Sequence, residues 1–298
     1  MPDEITPMSG FFEEVQRRKV YRVAVAYVVA AGGIRSEMIR ASNPCDKNSV
    51  RSFSVALIAL VCGLTSAHAQ WSIRSAKSEF SSGRSVEHRT IALATAETEA
   101  TVELALFSPK TSTLRVINNP DQSDSLADAM EREKCVAGVN GGYFDPNYAP
   151  VGLMISDARV VMPQQKARLL SGVVSATRDR VLVQRAAEFS IKTKPTAARQ
   201  CGPFLLDQGK PIVGLNDTRT ARRTFVATLA DGRAAIGYCS YVTLAQLAAL
   251  LATPELKIQR AMNLDGGSSS GFWFAGENGV FQIREQKTVR DFIAIAPK

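Results

Sequence analysis

Apolar and polar residues along this chain fall into short strand-like and helix-like segments whose order recurs. Thr101 to Phe107 (TVELALF) alternates with a period of two, which predicts a strand. Ser108 to Ser112 (SPKTS) reads as a turn and Leu114 to Ile117 as the returning strand of a hairpin. Asp124 to Glu133 predicts a short polar helix opened by an acidic cap. Val136 to Val139 is a short apolar strand that stops at Asn140-Gly141-Gly142. The same order returns with Thr224 to Leu229, an Asp231-Gly232 hairpin turn, and Ala234 to Tyr238. Thr243 to Leu251 then predicts a Thr-capped helix, and Ala261 to Leu264 a strand that stops at Asp265-Gly266-Gly267. The two Gly-Gly pairs stand 125 residues apart. Two ββαβ units predict an α+β fold: one domain with a pseudo-repeat, its mixed sheets flanked by helices. A chance match of short elements is the alternative. Residues 150–220 carry short strands, with turns at Asp157, Arg178-Asp179 and Gln208-Gly209. No Pro-, Gly- or Ser-rich linker divides them from the rest.

The N-terminal part has a different pattern. Lys47 and Arg51 precede Phe53 to Leu64, an uncharged apolar run, and Thr65 to Ala69 offers a small-residue cleavage site before Gln70. Positive, apolar and cleavage regions in that order predict a signal peptide over 38–69, with Met38 as a natural start; a buried core helix is the alternative. Residues 1–37 read as an N-terminal extension, either a short amphipathic helix or spurious sequence from a mis-assigned start. Its run Val20 to Ala31 contains Arg22 and is too short to span a bilayer. Cys62 is a poor match to a lipoprotein anchor. The working domain is then 70–298, periplasmic or secreted, with no stable membrane span after signal cleavage.

Composition narrows the chemistry. The chain has 298 residues, a net charge of +8, 45% hydrophobic residues and two histidines. His68 falls in the signal, so His88 is the single candidate base for a Ser-His-Asp triad, and zinc sites with several histidines are excluded. Asp145-Pro146-Asn147 begins like a calcium loop but lacks its glycine and closing glutamate. The expectation is no metal and no cofactor. The basic balance points to anionic partners, and a charge spread so thinly is weak grounds for nucleic acid, so no nucleic-acid partner is expected. Of Cys135, Cys201 and Cys239, an oxidising compartment permits a Cys201–Cys239 disulfide; three buried thiols are the alternative.

The two Gly-Gly motifs carry the chemistry. A strand that stops in two glycines admits backbone close to a ligand, and consecutive amides can bind anionic oxygen. Alternatively, both are tight turns whose Asn and Asp side chains bond their own backbone. Two such turns at repeat-related positions favour a shared site. Gly267-Ser268-Ser269-Ser270-Gly271 fits the G-x-S-x-G pattern of α/β-hydrolases, but no histidine follows it, so that reading fails. Arg222-Arg223-Thr224 opens the second hairpin with side chains suited to phosphate.

At these residues the chain resembles the phosphodiester glycosidase family. The shared motifs are Asn140 to Phe144, Gly152 with Ser156-Asp157, Gly202-Pro203, Arg223-Thr224, Asn263 to Ser268, and a closing strand at Val289 to Ile295. The resemblance covers about 100–296. Phe225-Val226-Ala227, Ala149-Pro150 and Ser269-Ser270 depart from it. It implies hydrolysis of the sugar C1–O bond of a sugar-1-phosphodiester, of N-acetylglucosamine type or in an envelope glycopolymer. That reaction needs a carboxylate near the anomeric carbon and stabilisation of a departing phosphate. Asp265 is the expected base or nucleophile and Asp145 the second carboxylate. Arg223 and the amides around Gly266, Gly267 and Ser268 would hold phosphate. Asn140 with the amides of Gly141 and Gly142 would orient sugar or water. A non-catalytic envelope protein that binds anionic glycopolymer is the competing expectation. A membrane-tethered accessory factor, with 53–64 retained, is a third.

Overall fold

The structure, a computed structural model, describes residues 70–298. The expected extension and signal peptide, 1–37 and 38–69, lie outside the described residues. No helix among the described residues is long and apolar enough to cross a membrane.

Strands β1 (Ser72–Phe80), β2 (Val86–Ala94), β3 (Glu99–Phe107) and β4 (Ser112–Asn118) precede helix α1 (Leu126–Arg132) and β5 (Ala137–Asn140). The middle of the chain holds β6 (Met154–Ser156), β7 (Arg159–Met162), β8 (Gly172–Ala176), β9 (Val181–Arg185), β10 (Ala197–Cys201), β11 (Phe204–Asp207) and β12 (Lys210–Pro211). Then come β13 (Ala221–Leu229), β14 (Ala234–Val242), helix α2 (Leu244–Leu251) and β15 (Ile258–Asn263). The last strands are β16 (Phe272–Gly276), β17 (Gly279–Ile283) and β18 (Asp291–Pro297). The described chain is mostly strand, with these two short α-helices.

Three sheets result. An eight-stranded sheet has the order β1-β2-β3-β14-β13-β15-β11-β12; five-stranded sheets have the orders β7-β6-β10-β8-β9 and β17-β16-β5-β18-β4. Every pairing is antiparallel, which corrects the expectation of mixed sheets.

The element order strand–strand–helix–strand does occur twice, but the pairing differs. β13 and β14 form a true hairpin through Asp231-Gly232. β3 instead pairs with β2 and β14, while β4 crosses into another sheet and pairs with β18, so the expected first hairpin is absent. Alternation along β3 explains the crossing. Ala105 and Phe107 face a core shared with Leu114 and Val116 of β4, whereas Leu104 and Leu106 face the core beneath α2. Both faces of β3 are therefore buried, and β4 covers one of them rather than extending its edge.

Both helices start where the sequence provides a capping box. Thr243 and Gln246 exchange side-chain and backbone bonds at α2. At α1 the cap is Ser125, with Asp128 as its partner, rather than an acidic residue.

The expected Cys201–Cys239 disulfide does not form: Cys135, Cys201 and Cys239 are all free and buried. Cys201 packs in the core between the sheets, Cys239 in the core under α2, so the eight-stranded sheet separates them. Burial pushes the thiols of Cys201 and Cys239 up to about 12.

Candidate functional site

The two Gly-Gly turns meet. The Asp265 amide donates to the Gly141 carbonyl at 3.2 Å, and Asn140 Nδ2 donates to the Asp265 carbonyl at 2.8 Å. The Thr224 hydroxyl lies 2.8 Å from Asn140 Oδ1 and 3.0 Å from the Asp265 carbonyl. Gly271 N–H also donates to Asn140 Oδ1, at 3.3 Å. The sequence-predicted Asn140, Asp265 and Gly266 thus converge, yet Asn140 is buried and its side chain is engaged at both ends. It ties the turns together and leaves no free group for sugar or water.

The Gly141 and Gly142 amides likewise have other partners. Gly141 N–H donates to the Asp291 carbonyl at 2.7 Å and Gly142 N–H to Asp291 Oδ1 at 3.2 Å. A Cβ on Gly141 would stand 1.8 Å from Asp291 Oδ1, and one on Gly142 2.6 Å from the Arg199 guanidinium carbon. These glycines are required by close packing on a buried ion pair rather than by a ligand. Arg199 and Asp291 were not singled out in the sequence. Asp291 does lie in the expected closing strand, and a lone arginine in an apolar strand such as β10 is a signal of a buried partner.

Asp145 also serves its own loop. Its Oδ1 accepts from the amides of Asn147 at 2.8 Å and Ala149 at 2.9 Å, an Asx turn.

The second motif presents free groups. Asp265 is partly buried; Oδ1 accepts from Gly266 N–H at 3.0 Å and Oδ2 from the Ser269 hydroxyl at 2.5 Å. Burial holds its carboxyl above the usual aspartate range. The Ser269 hydroxyl, the Lys287 charge and the Gly266 amide pull back toward ionisation. Beyond it the short 3₁₀ turn Gly267–Ser269 begins with Gly267 at φ +69°, a conformation natural to glycine. The N–H groups of Gly267 and Ser268 make no hydrogen bond with the described residues. Ser268 is exposed, and its carbonyl accepts from Gln286 N–H at 2.7 Å.

Arg223 stands across from this turn. β13 and β15 pair as Phe225 with Asn263, and the ladder runs on through Leu264 N–H to the Thr224 carbonyl at 2.9 Å. Arg223 precedes Thr224 on β13, and Asp265 follows Leu264. Arg223 is only 8% exposed; its Nε donates to the Val242 carbonyl at 3.2 Å and its Nη2 to the Arg219 carbonyl at 2.7 Å. Its Nη1 is 3.5 Å from the position a Cβ would take on Gly266. Among the described residues Arg223 has no carboxylate partner. Burial, with the like charge of Arg219 beside it, lowers its pKa. A buried cation without a counter-ion is costly, and an anion bound beside it would offset that cost.

Tyr143 connects the two sides. Its phenol, neutral because burial raises its pKa well above the ordinary value, senses the charges of both Asp265 and Arg223. It donates to the Gly202 carbonyl at 2.5 Å, which also accepts Asn263 Nδ2 at 3.2 Å. The expected Gly202-Pro203 turn, a cis peptide, is therefore tied to both Tyr143 and Asn263. Neither ring nitrogen of His88 is free, as both meet carboxylates, Glu79 at 2.9 Å and Glu103 at 2.8 Å.

The fold and site define an antiparallel β domain in which a desolvated carboxylate and an unpaired arginine both adjoin a glycine turn. The model of the phosphodiester glycosidase family matches residues 133–296, more than half of the chain, and the chain belongs to that family. The match begins after β3, β4 and α1, later than the expected 100. The uncharacterized protein YigE of Escherichia coli is 27% identical over 165 residues, covering 51% of this chain and 63% of YigE. This chain thus spans less than two thirds of that relative. Among solved structures, the catalytic domain of zebrafish N-acetylglucosamine-1-phosphodiester alpha-N-acetylglucosaminidase, auto-inhibited by its pro-peptide, matches with a TM-score of 0.55 at 15% identity, over 77% of this chain and 83% of that one. A hypothetical protein from Synechocystis matches with a TM-score of 0.51 at 12% identity, over 72% of this chain and 62% of that one. These two likenesses concern the fold.

Proposed function

We propose that this protein is a hydrolase that cleaves the bond between the anomeric carbon of a sugar and a phosphodiester oxygen, releasing free sugar and a phosphate monoester. The observation that carries this reading is the buried, unpaired Arg223 beside Gly266, the residue that follows the desolvated Asp265. Arg223 Nη1 and the free amides of Gly267 and Ser268 take the phosphate, whose negative charge grows as the bond breaks. Asp265 acts at the anomeric carbon, as nucleophile or as base toward water, where oxocarbenium character develops. A phosphate leaves readily without a strong general acid. This suits a site in which Asp145 is tied into its loop and Asp291 into its ion pair. The substrate is of sugar-1-phosphodiester type, N-acetylglucosamine-linked or an envelope glycopolymer, and the signal-like sequence before Gln70 supports a periplasmic or secreted location.

Incubation with UDP-N-acetylglucosamine tests the reading. Release of N-acetylglucosamine by the wild type and not by Asp265→Asn is the expected result. Binding of the same compound without any turnover would replace the hydrolase by a glycopolymer-binding protein.

A further inference from the structure

Residues 284–288, between β17 and β18, form a loop fastened beside the Asp265 turn. The Arg284 carbonyl accepts from Arg222 Nη2 at 2.6 Å, and Glu285 Oε1 accepts from Leu126 N–H at 2.7 Å. Gln286 N–H donates to the Ser268 carbonyl at 2.7 Å, and the Thr288 hydroxyl meets that of Tyr148 at 3.1 Å. Four of the five loop residues are thus bonded into the fold. The side chain of the fifth, Lys287, is exposed and makes no ion pair among the described residues. Its Nζ stands 4.8 Å from the centre of the Phe144 ring, which is itself stacked on Tyr148 at 4.9 Å. Phe144 directly follows Tyr143, whose phenol donates to the Gly202 carbonyl.

A loop bonded through Gln286 to the turn after Asp265, presenting one unpaired cation held over an aromatic face, is arranged for an incoming anion. The aromatic face preorients the ammonium without neutralising it. The two cations are also of different kinds: Arg223 is a buried planar fork, Lys287 a compact point charge at the rim.

We propose that Lys287 is a specificity residue of this site: it takes a non-bridging phosphate oxygen of the substrate and so selects charged sugar-1-phosphate esters over neutral glycosides. The inference rests on the proposed function for the location of the phosphate, but it concerns binding, and binding is measured apart from turnover.

The experiment uses the full chain with Lys287→Gln and Lys287→Arg, and calorimetric titration with N-acetylglucosamine 1-phosphate and with N-acetylglucosamine. Lys287 is exposed, so both variants are expected to fold, with a circular dichroism spectrum as the check. The expected result for Lys287→Gln is affinity for the phosphate ester reduced about tenfold, the scale of one charge-assisted contact. Affinity for the neutral sugar should be unchanged, and Lys287→Arg should keep most of the ester affinity. Wild-type affinity in Lys287→Gln would overturn the proposal, as would an equal loss for ester and neutral sugar, or a wild type that binds no ester. A wild type that binds the ester through Lys287 and hydrolyses no phosphodiester would leave this assignment standing and overturn the hydrolase reading alone.

Discussion

Arg199 grips Asp291 through two parallel contacts, Nε to Oδ1 at 2.9 Å and Nη2 to Oδ2 at 3.0 Å, with both side chains wholly buried. The remaining donors of Arg199 are also used, on the carbonyls of Tyr143 at 2.7 Å and Val151 at 2.9 Å. The pair thereby fixes the chain on both sides of the Gly141-Gly142 turn, and through Asn140 the position of Asp265. Removing one partner strands a buried charge, which costs about 3–5 kcal/mol. Arg199→Met and Asp291→Asn should each lower the unfolding free energy measured by urea titration by an amount of that order. The double variant should lose less than the two single losses combined, as a double-mutant cycle would show.

The Asp265→Asn variant should separate stability from activity. Burial raises the pKa of this carboxyl, so ionising it at neutral pH opposes folding. A raised folded pKa confers stability below the unfolded value that is lost as pH rises through the folded one. Asp265→Asn should therefore melt at the same or a higher temperature at neutral pH, while sugar release falls by at least about three orders of magnitude. In the wild type the acid limb of the pH–rate profile should lie above the range of an exposed aspartate. Substantial activity in Asp265→Asn would remove Asp265 from the mechanism.

How much of this was legible in the sequence depended on whether the signal was local. The Thr243 cap, the Asp231-Gly232 hairpin and the two glycine turns are written within a few residues, and each lies where the pattern puts it, while the cap of α1 falls on Ser125 rather than on an acidic residue. The crossing of β4 into another sheet was not legible. A strand buried on both faces and an edge strand of a hairpin have similar short apolar patterns, and only pairing over a long separation distinguishes them. The division of labour between the glycine motifs was hidden for the same reason. What consumes the Gly141 and Gly142 amides is Asp291, 149 residues further along the chain from Gly142. Both turns have glycines at the same spacing, yet the first packs on an ion pair while the second stays open.

The cysteines give a direct chemical check on the placement of the strands. With Cys201 and Cys239 in separate cores, neither can reach the other, and their pKa values near 12 leave almost no thiolate at neutral pH. Iodoacetamide should leave Cys201 and Cys239 unmodified in the native protein. In denaturant without reductant, mass spectrometry should find Cys135, Cys201 and Cys239 all alkylated. A peptide joining Cys201 to Cys239 would contradict this arrangement.

His88 should make stability depend on pH in the opposite sense from a paired carboxylate. It is buried, with Nδ1 2.9 Å from Glu79 and Nε2 2.8 Å from Glu103, and its ring packs against Phe272, Phe274 and Phe281. Burial works to discharge the imidazole, but the hydrogen bonds and charges of Glu103 and Glu79 together outweigh it and raise the pKa. The stabilisation is therefore fully present below the unfolded imidazole value of about 6.5 and is lost as pH climbs through the higher folded value. Loss of the proton also leaves two carboxylates facing a ring that satisfies only one of them as donor. Urea midpoints measured from pH 5.5 to 9 should fall across that window in the wild type and change little in His88→Gln, whose amide has no charge to lose. A wild-type midpoint that rises with pH over the same interval would show that the ring is held neutral.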